Sequence, residues 1–265
     1  MKILAITNQK GGVGKTTTAI NLSACLAIRG VRVLLADLDP QANATTGSGI
    51  DKQRLGNSIY QMLLGLSSME SVKITTSFGY DLLPSNRDLG GAEIELIEMP
   101  RREYRLDEAL SDKLGAYDLV LLDCPPALNL LTLNGLSAAS GVIIPMQCEY
   151  YALEGLSDLV STLRKVRANL NPSLEIVGLL RTMYNAQSML TRQVSGELEI
   201  HFGKKVYQTM IPRNVRLAEA PSYGKPASYY EKNSRGARAY AALADEIING
   251  MQLSTNNDNR VEVVE

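Results

Sequence analysis

The chain has one histidine and three cysteines in 265 residues. The histidine, His201, closes a helical stretch just before Phe202-Gly203. It reads there as a partner of the helix C-terminal dipole or a surface residue, not as a catalyst. Cys25, Cys124 and Cys148 are far apart and form no C-x-x-C pair. An odd, unclustered set excludes a disulfide frame and a cysteine-ligated cluster, and points to a reduced compartment. No run approaches the roughly 18 apolar residues that a membrane-spanning helix needs. Neither sign of charge dominates: the net charge is −1, so attraction to a polyanion has to come from a local patch. Repeats and low-complexity stretches are missing too. Apolar residues begin a strand at once, so no signal peptide is expected. These absences together predict a soluble, cytoplasmic protein.

What is present is apolar material in alternating patterns. With 45% hydrophobic residues, the chain can bury a large core as one α/β domain. Strands are expected at Lys2–Thr7, Val31–Ala36, Tyr80–Pro84, Leu119–Asp123, Gly141–Met146 and Leu174–Leu180. Helices are expected near Thr16–Arg29, Leu89–Glu98, Arg105–Leu114, Asn129–Ala139, Leu153–Asn169, Leu190–Phe202 and Arg235–Asn249. Continuous apolar strands separated by helices predict a single doubly wound, mostly parallel sheet covered on both faces. The domain is expected over residues 1–250. Residues 251–265 read as a polar, disordered tail.

The most informative segment is Lys10-Gly11-Gly12-Val13-Gly14-Lys15-Thr16-Thr17, directly after the first strand. Glycines at 11, 12 and 14 let backbone N–H groups converge on phosphate oxygens. The following helix adds the positive end of its dipole. Lys15 can reach the β and γ phosphates, and the Thr16 hydroxyl can ligate Mg²⁺. The general pattern is G-x-x-x-x-G-K-[ST]; Gln9 takes the place of its first glycine, and Lys10 is an added lysine inside the loop. The fold expected is therefore of P-loop NTPase type.

Leu35-Ala36-Asp37-Leu38-Asp39-Pro40-Gln41 places two acids at i and i+2, on one side of a strand end facing the ligand edge. Asp37 is still in apolar context. Asp39 sits at the mouth and is the better candidate to contact the attacking water or the Mg²⁺ shell. Leu119-Val120-Leu121-Leu122-Asp123 places a further carboxylate near Mg²⁺. Cys124-Pro125-Pro126 then makes a rigid exit suited to sensing a γ-phosphate. In Met210-Ile211-Pro212-Arg213-Asn214, a proline and an amide have the spacing to flank and hydrogen-bond a purine; an ordinary loop is the other reading. Tyr150-Tyr151 can be core or interface.

The runs KGGVGKTT, DLDPQ, LLDCPP, QCEYYALEGL and IPRNVRLAEAPSYGKP resemble the ParA/Soj partitioning ATPases of the deviant Walker A class. The resemblance implies a weak ATPase using ATP and Mg²⁺, with Lys10, Lys15 and Asp39 as catalytic residues. Lys10 would cross a homodimer interface to the partner's nucleotide. Gly11, Gly12, Val13, Gly14, Lys15, Thr16 and Thr17 would cradle the phosphates, with Thr16 on the metal. Asp123 would stand as the Walker B acid, and Pro212 and Asn214 would contact adenine. The ATP-bound dimer would bind double-stranded DNA without sequence preference, on the nucleoid. A ParB/Spo0J-type partner would stimulate hydrolysis and release it.

Charge distribution supports a polyanion independently. Residues 181–240 hold ten Lys/Arg against four acids, an electrostatic footprint for phosphates. Arg192, Lys204, Lys205, Arg213, Arg216, Lys225 and Arg235 are the candidate DNA contacts. Gln187 stands where some relatives carry a basic residue. The rival readings are a membrane-cycling ATPase like MinD and a metabolic enzyme of the same superfamily, such as an amide-forming ligase. Residues 241–265, with one Arg against five acids, do not suit a basic membrane anchor, and a ligase has no need of the basic segment 181–240.

Overall fold

The computed structural model describes residues 2–111 and 114–255. Seven strands form one sheet: β1 (Lys2–Ile6), β2 (Val33–Asp37), β3 (Ile74–Thr75), β4 (Asp81–Leu83), β5 (Leu119–Asp123), β6 (Gly141–Gln147) and β7 (Glu175–Thr182). The first six helices are α1 (Lys15–Ile28), α2 (Asn43–Gly47), α3 (Ile59–Leu63), α4 (Met69–Val72), α5 (Leu89–Ile97) and α6 (Arg105–Leu110). They are followed by α7 (Leu130–Ala138), α8 (Ala152–Asn169), α9 (Met189–Phe202), α10 (Val215–Glu219), α11 (Ala227–Tyr230) and α12 (Arg235–Met251). The strand order is β3-β4-β2-β5-β1-β6-β7, parallel throughout except for the β3–β4 pair.

Strand periodicity divides the core between the two faces. Ile3, Ala5, Val120 and Leu122 pack on one side with Leu131, Leu159 and Leu198 from α7, α8 and α9. Leu4, Ile6, Leu119 and Leu121 pack on the other with Leu22 of α1 and Leu243 of α12. Every residue of β5 is buried, which is why it reads as a continuous apolar run. In α8 the buried positions Leu156, Leu159, Leu163 and Val166 make one stripe at helical spacing.

The expected doubly wound sheet is what forms. Its differences from the sequence reading are local. β2 starts at Val33 because Gly30 (φ +81) and Val31, whose N–H goes to Leu26 O, still close α1. β7 runs on to Thr182. The short elements α2, α3, α4, α10, α11 and β3 had no expected counterpart, being only two to five residues long. Helix α12 continues to Met251, and Leu253 packs against the core beneath it; residues 256–265 of the expected tail lie outside the described residues.

The topology positions the site. The chain leaves β1 for β2 and skips a place that β5 later fills, then departs to the other side through β6. Register pairs Ile6 with Asp123 and Asp37 with Asp123. The carboxyl ends of three central strands are therefore level where the winding reverses, the position at which such sheets bind ligands.

Candidate nucleotide site

The loop from β1 to α1 is held from two sides and braced within itself. Asn8 Nδ2 donates to Pro145 O at 2.8 Å, while Asn8 Oδ1 accepts the Lys10 N–H at 3.0 Å. Thr182 Oγ1, at the end of β7, donates to Val13 O at 2.8 Å. Gly12 (φ +74) and Gly14 (φ +91) take left-handed conformations that disfavour any side chain. A Cβ on Gly11 or Gly12 would meet nothing within 4 Å. Glycine at these positions keeps room above the loop, since there is no protein there to clear. Gly14 caps α1 with no side-chain bond, leaving the first helical N–H groups for a ligand.

Lys15 is 7% exposed, and its Nζ donates to Lys10 O at 3.3 Å. Burial lowers its pKa, against the opposing charges of Asp123 and Asp39. Thr16, in the first turn of α1, is half-buried beside Asp123. Thr17 and Gly14 line a neighbouring cavity.

The three acids differ sharply. Asp123 is fully buried, and neither carboxylate oxygen has a hydrogen-bond partner. Burial, reinforced by the facing Asp37, holds its carboxyl well above the usual range. Two orphaned oxygens beside a threonine hydroxyl suit a hydrated divalent cation, the donor set that Mg²⁺ accepts. Asp37 is equally buried but satisfied. Its Oδ2 accepts Thr45 N–H and Thr45 Oγ1–H, both at 2.8 Å, and its Oδ1 accepts Asp39 N–H at 3.1 Å. Burial still pushes it up to about 6. Asp37 thus ties the loop after β2 to α2, and Asp39 is left half-exposed at the mouth. Its Oδ1 accepts Gln41 N–H at 2.9 Å, and Ser85 Oγ donates to its carbonyl at 2.9 Å.

Pro212 and Asn214 line a cavity of about 160 Å³ with Gly14, Thr17, Met183 and Tyr240. Asn214 caps α10, its Oδ1 accepting Arg216 N–H at 2.9 Å, which leaves the amide N–H₂ available. Met183 holds a left-handed backbone (φ +47) in this wall. The Gln147 amide lies against both Gly12 O (3.4 Å) and the Met183 sulfur (2.7 Å), linking this cavity to the loop. Sequence reasoning missed Gln147 and Met183.

It also missed the role of Glu149, whose Oε2 lies 2.7 Å from Lys10 Nζ. Tyr150 and Tyr151, next to it, are 74% and 72% exposed and so are not core. Of the basic segment, Arg192, Lys204, Lys205, Arg213, Arg216, Lys225 and Arg235 are all exposed. Arg216 pairs with Glu219 at 2.7 Å. Arg181 was counted with the patch and does not belong to it: it is 3% exposed, bound to Ser195, Glu199 and Tyr207 O. His201 is a surface residue, 3.4 Å from Glu197. The three cysteines are free and buried, and among the described residues no His/Cys/Asp/Glu group has the makings of a metal cluster. No described helix is long and apolar enough to cross a membrane.

Comparison with known proteins agrees with this geometry. A family model described as an AAA domain matches residues 1–176. The sporulation initiation inhibitor protein Soj of Bacillus subtilis is 53% identical over 247 residues, covering 93% of this chain and 98% of Soj. The chromosome partitioning protein ParA of Caulobacter vibrioides is 49% identical over 251 residues, 94% of each chain. Among solved structures, cobyrinic acid a,c-diamide synthase from Mycobacterium smegmatis, with a bound ATP analog and magnesium, superposes with a TM-score of 0.83 at 37% identity. That match covers 96% of this chain and 99% of the synthase. The fold is thus shared with a metabolic enzyme, but the full-length sequence likeness is greater to the partitioning proteins. The phosphate loop, the three carboxyl-end acids and these relatives together place the chain in the Soj/ParA family of P-loop partitioning ATPases.

Proposed function

We propose that this chain hydrolyses ATP to time its hold on DNA. The observation that carries the reading is the pair of orphaned Asp123 oxygens, buried between Lys15 and Thr16 at the switch point of the sheet. Thr16 and Asp123 would hold Mg²⁺, which when bound neutralises charge between the β and γ phosphates. Lys15 supplies a charge-assisted contact to the same phosphates. Asp39, half-exposed at the mouth, orients the attacking water. Pro212 and the free Asn214 amide receive the purine. Unstimulated turnover is expected to be slow, on the order of 10⁻⁴ to 10⁻² s⁻¹, since no arginine finger is evident among the described residues.

The dimer reading rests on what surrounds this edge. Lys10, Tyr150, Tyr151, Leu128 and Met189 all lie on segments that follow carboxyl strand ends, and the four large apolar ones are about half to three-quarters exposed. Exposed apolar groups around a ligand mouth suit closure by a second copy. Lys10 would then leave Glu149 for the partner's nucleotide. DNA contact falls to Arg192, Arg213, Arg216, Lys225 and Arg235, with two-fold symmetry doubling each contribution. Lys204 and Lys205 stand beyond the other end of α9. A ParB/Spo0J-type partner would accelerate hydrolysis and so release DNA.

The test is ATP turnover alone, with duplex DNA, and with DNA plus an N-terminal peptide of a ParB-type protein. A rate raised several-fold only in the last mixture supports the reading. A rate indifferent to both additions contradicts it.

A further inference from the structure

Strand β7 has a cavity at each end. Its carboxyl end, Thr182, lines the base cavity. At its amino end, Leu174, Glu175 and Ile176 line a second cavity of about 390 Å³ between α8 and α9. Eight residues of strand rising roughly 3.3 Å each put these ends about 23 Å apart, so the second cavity is no part of the nucleotide site.

The two surfaces of this groove differ in character. The floor is apolar, with Leu163 and Leu174 buried and Phe202 partly so. The rim is basic, with Arg164, Arg167, His201 and Lys205 against the single acid Glu175. Of the acids of α9, Glu199 is engaged by Arg181, while Glu197 pairs with His201 on the rim itself, which leaves Arg164, Arg167 and Lys205 as the rim's cations. Arg167 gives its Nε to Pro172 O at 3.2 Å, and no carboxylate among the described residues pairs with its guanidinium. Favourable placement at helix C-termini explains Arg167 and Lys205 singly. It does not explain Arg164 one turn earlier, nor an open apolar floor beneath three cations.

We propose that this groove docks an acidic, amphipathic peptide segment of a partner protein. Its apolar side chains seat on the half-buried Val160, Ile176 and Phe202 of the lining, and its carboxylates meet Arg164, Arg167 and Lys205. Duplex DNA matches this surface less well, because a phosphate ridge brings charge but no apolar groups to the floor. Charge complementarity steers the encounter, and the apolar contacts give it residence time. The surface is separate from the nucleotide site, so the proposal stands or falls independently of ATP hydrolysis.

The experiment measures fluorescence anisotropy of a labelled peptide built of Glu with Leu at helical spacing, added to the whole protein. Parallel titrations use the same peptide with Ser for Leu, the same peptide with Lys for Glu, and a random duplex. Saturable binding of the Glu/Leu peptide alone is expected. It should weaken by about tenfold or more, 1.4 kcal/mol, in Arg164→Glu/Arg167→Glu, with ATP turnover unchanged. Arg164→Gln/Arg167→Gln serves the same comparison should charge reversal impair folding. No binding to the unaltered protein, equal binding of the Ser peptide, or unchanged binding in both variants would overturn the proposal. Loss of duplex affinity rather than peptide affinity in the variants would overturn it in favour of a DNA face.

Discussion

Lys10 and Glu149 lie 139 positions apart in sequence and 2.7 Å apart in space, each about half exposed. An ion pair so exposed contributes about 0–1 kcal/mol, so it holds Lys10 in place without committing it there. Lys10→Ala is expected to leave nucleotide binding by the monomer largely intact while preventing ATP-dependent dimerisation and turnover. Light scattering with ATP, beside calorimetric nucleotide titration, separates the two effects. A dimer that persists in Lys10→Ala would remove the cross-interface role.

Lys15→Ala acts on binding itself. It removes a charge-assisted phosphate contact from a buried position, worth about 1.5–3 kcal/mol. Nucleotide affinity should fall by about one to two orders of magnitude. A calorimetric titration giving unaltered affinity would place the phosphates elsewhere.

Asp39→Ala separates hydrolysis from binding. Among the described residues the Asp39 carboxylate bonds only to Gln41 N–H, and its backbone bonds survive truncation, so its loss should slow turnover while ATP binding, dimerisation and DNA binding survive. Hydrolysis at the wild-type rate would refute its role with the attacking water.

The buried acids predict a pH dependence of stability. Burial raises Asp37 to about 6 and holds Asp123 well above the usual carboxylate range, above the unfolded value of about 4. The folded state then binds more protons than the unfolded state, so stability is lost as pH rises through this window. For Asp37 the loss approaches about 3 kcal/mol, two pKa units at 1.4 kcal/mol each. Nucleotide-free Asp123→Asn should melt at a higher temperature than wild type at pH 8 and show a flatter slope from pH 4 upward. It should also lose its stabilisation by MgATP. A variant that melts lower at pH 8, with the slope unchanged, would contradict the account of the acid pair.

Much of this was legible in the chain because it is local. The phosphate loop is eight consecutive residues, and the apolar run ending in Asp123 announces a strand-end acid. The solitary state of that acid is tertiary, visible only once β1 and β2 flank β5. Glu149, Gln147 and Met183 gave no local signal, since their partners lie on other loops. Arg181 was misread for a reason the chain does contain: it follows Gly178, Leu179 and Leu180 inside an apolar strand, and a cation there has to find buried partners. Helices α2, α3 and α4 span too few residues for periodicity to register.

The measurement closest to the central claim is a gel-shift titration on two unrelated duplexes, with ADP or ATP, at two salt concentrations. Single cations such as Arg213 and Lys225 act weakly on screened phosphates, whereas a two-fold dimer presents both patches to one duplex. The account predicts binding with ATP only, equal on both duplexes, with log affinity falling by about 0.9 per phosphate contact against log salt. Arg216→Ala should flatten that slope without changing ATP affinity. Equal affinity with ADP and ATP, or a strong preference for one duplex, would contradict it.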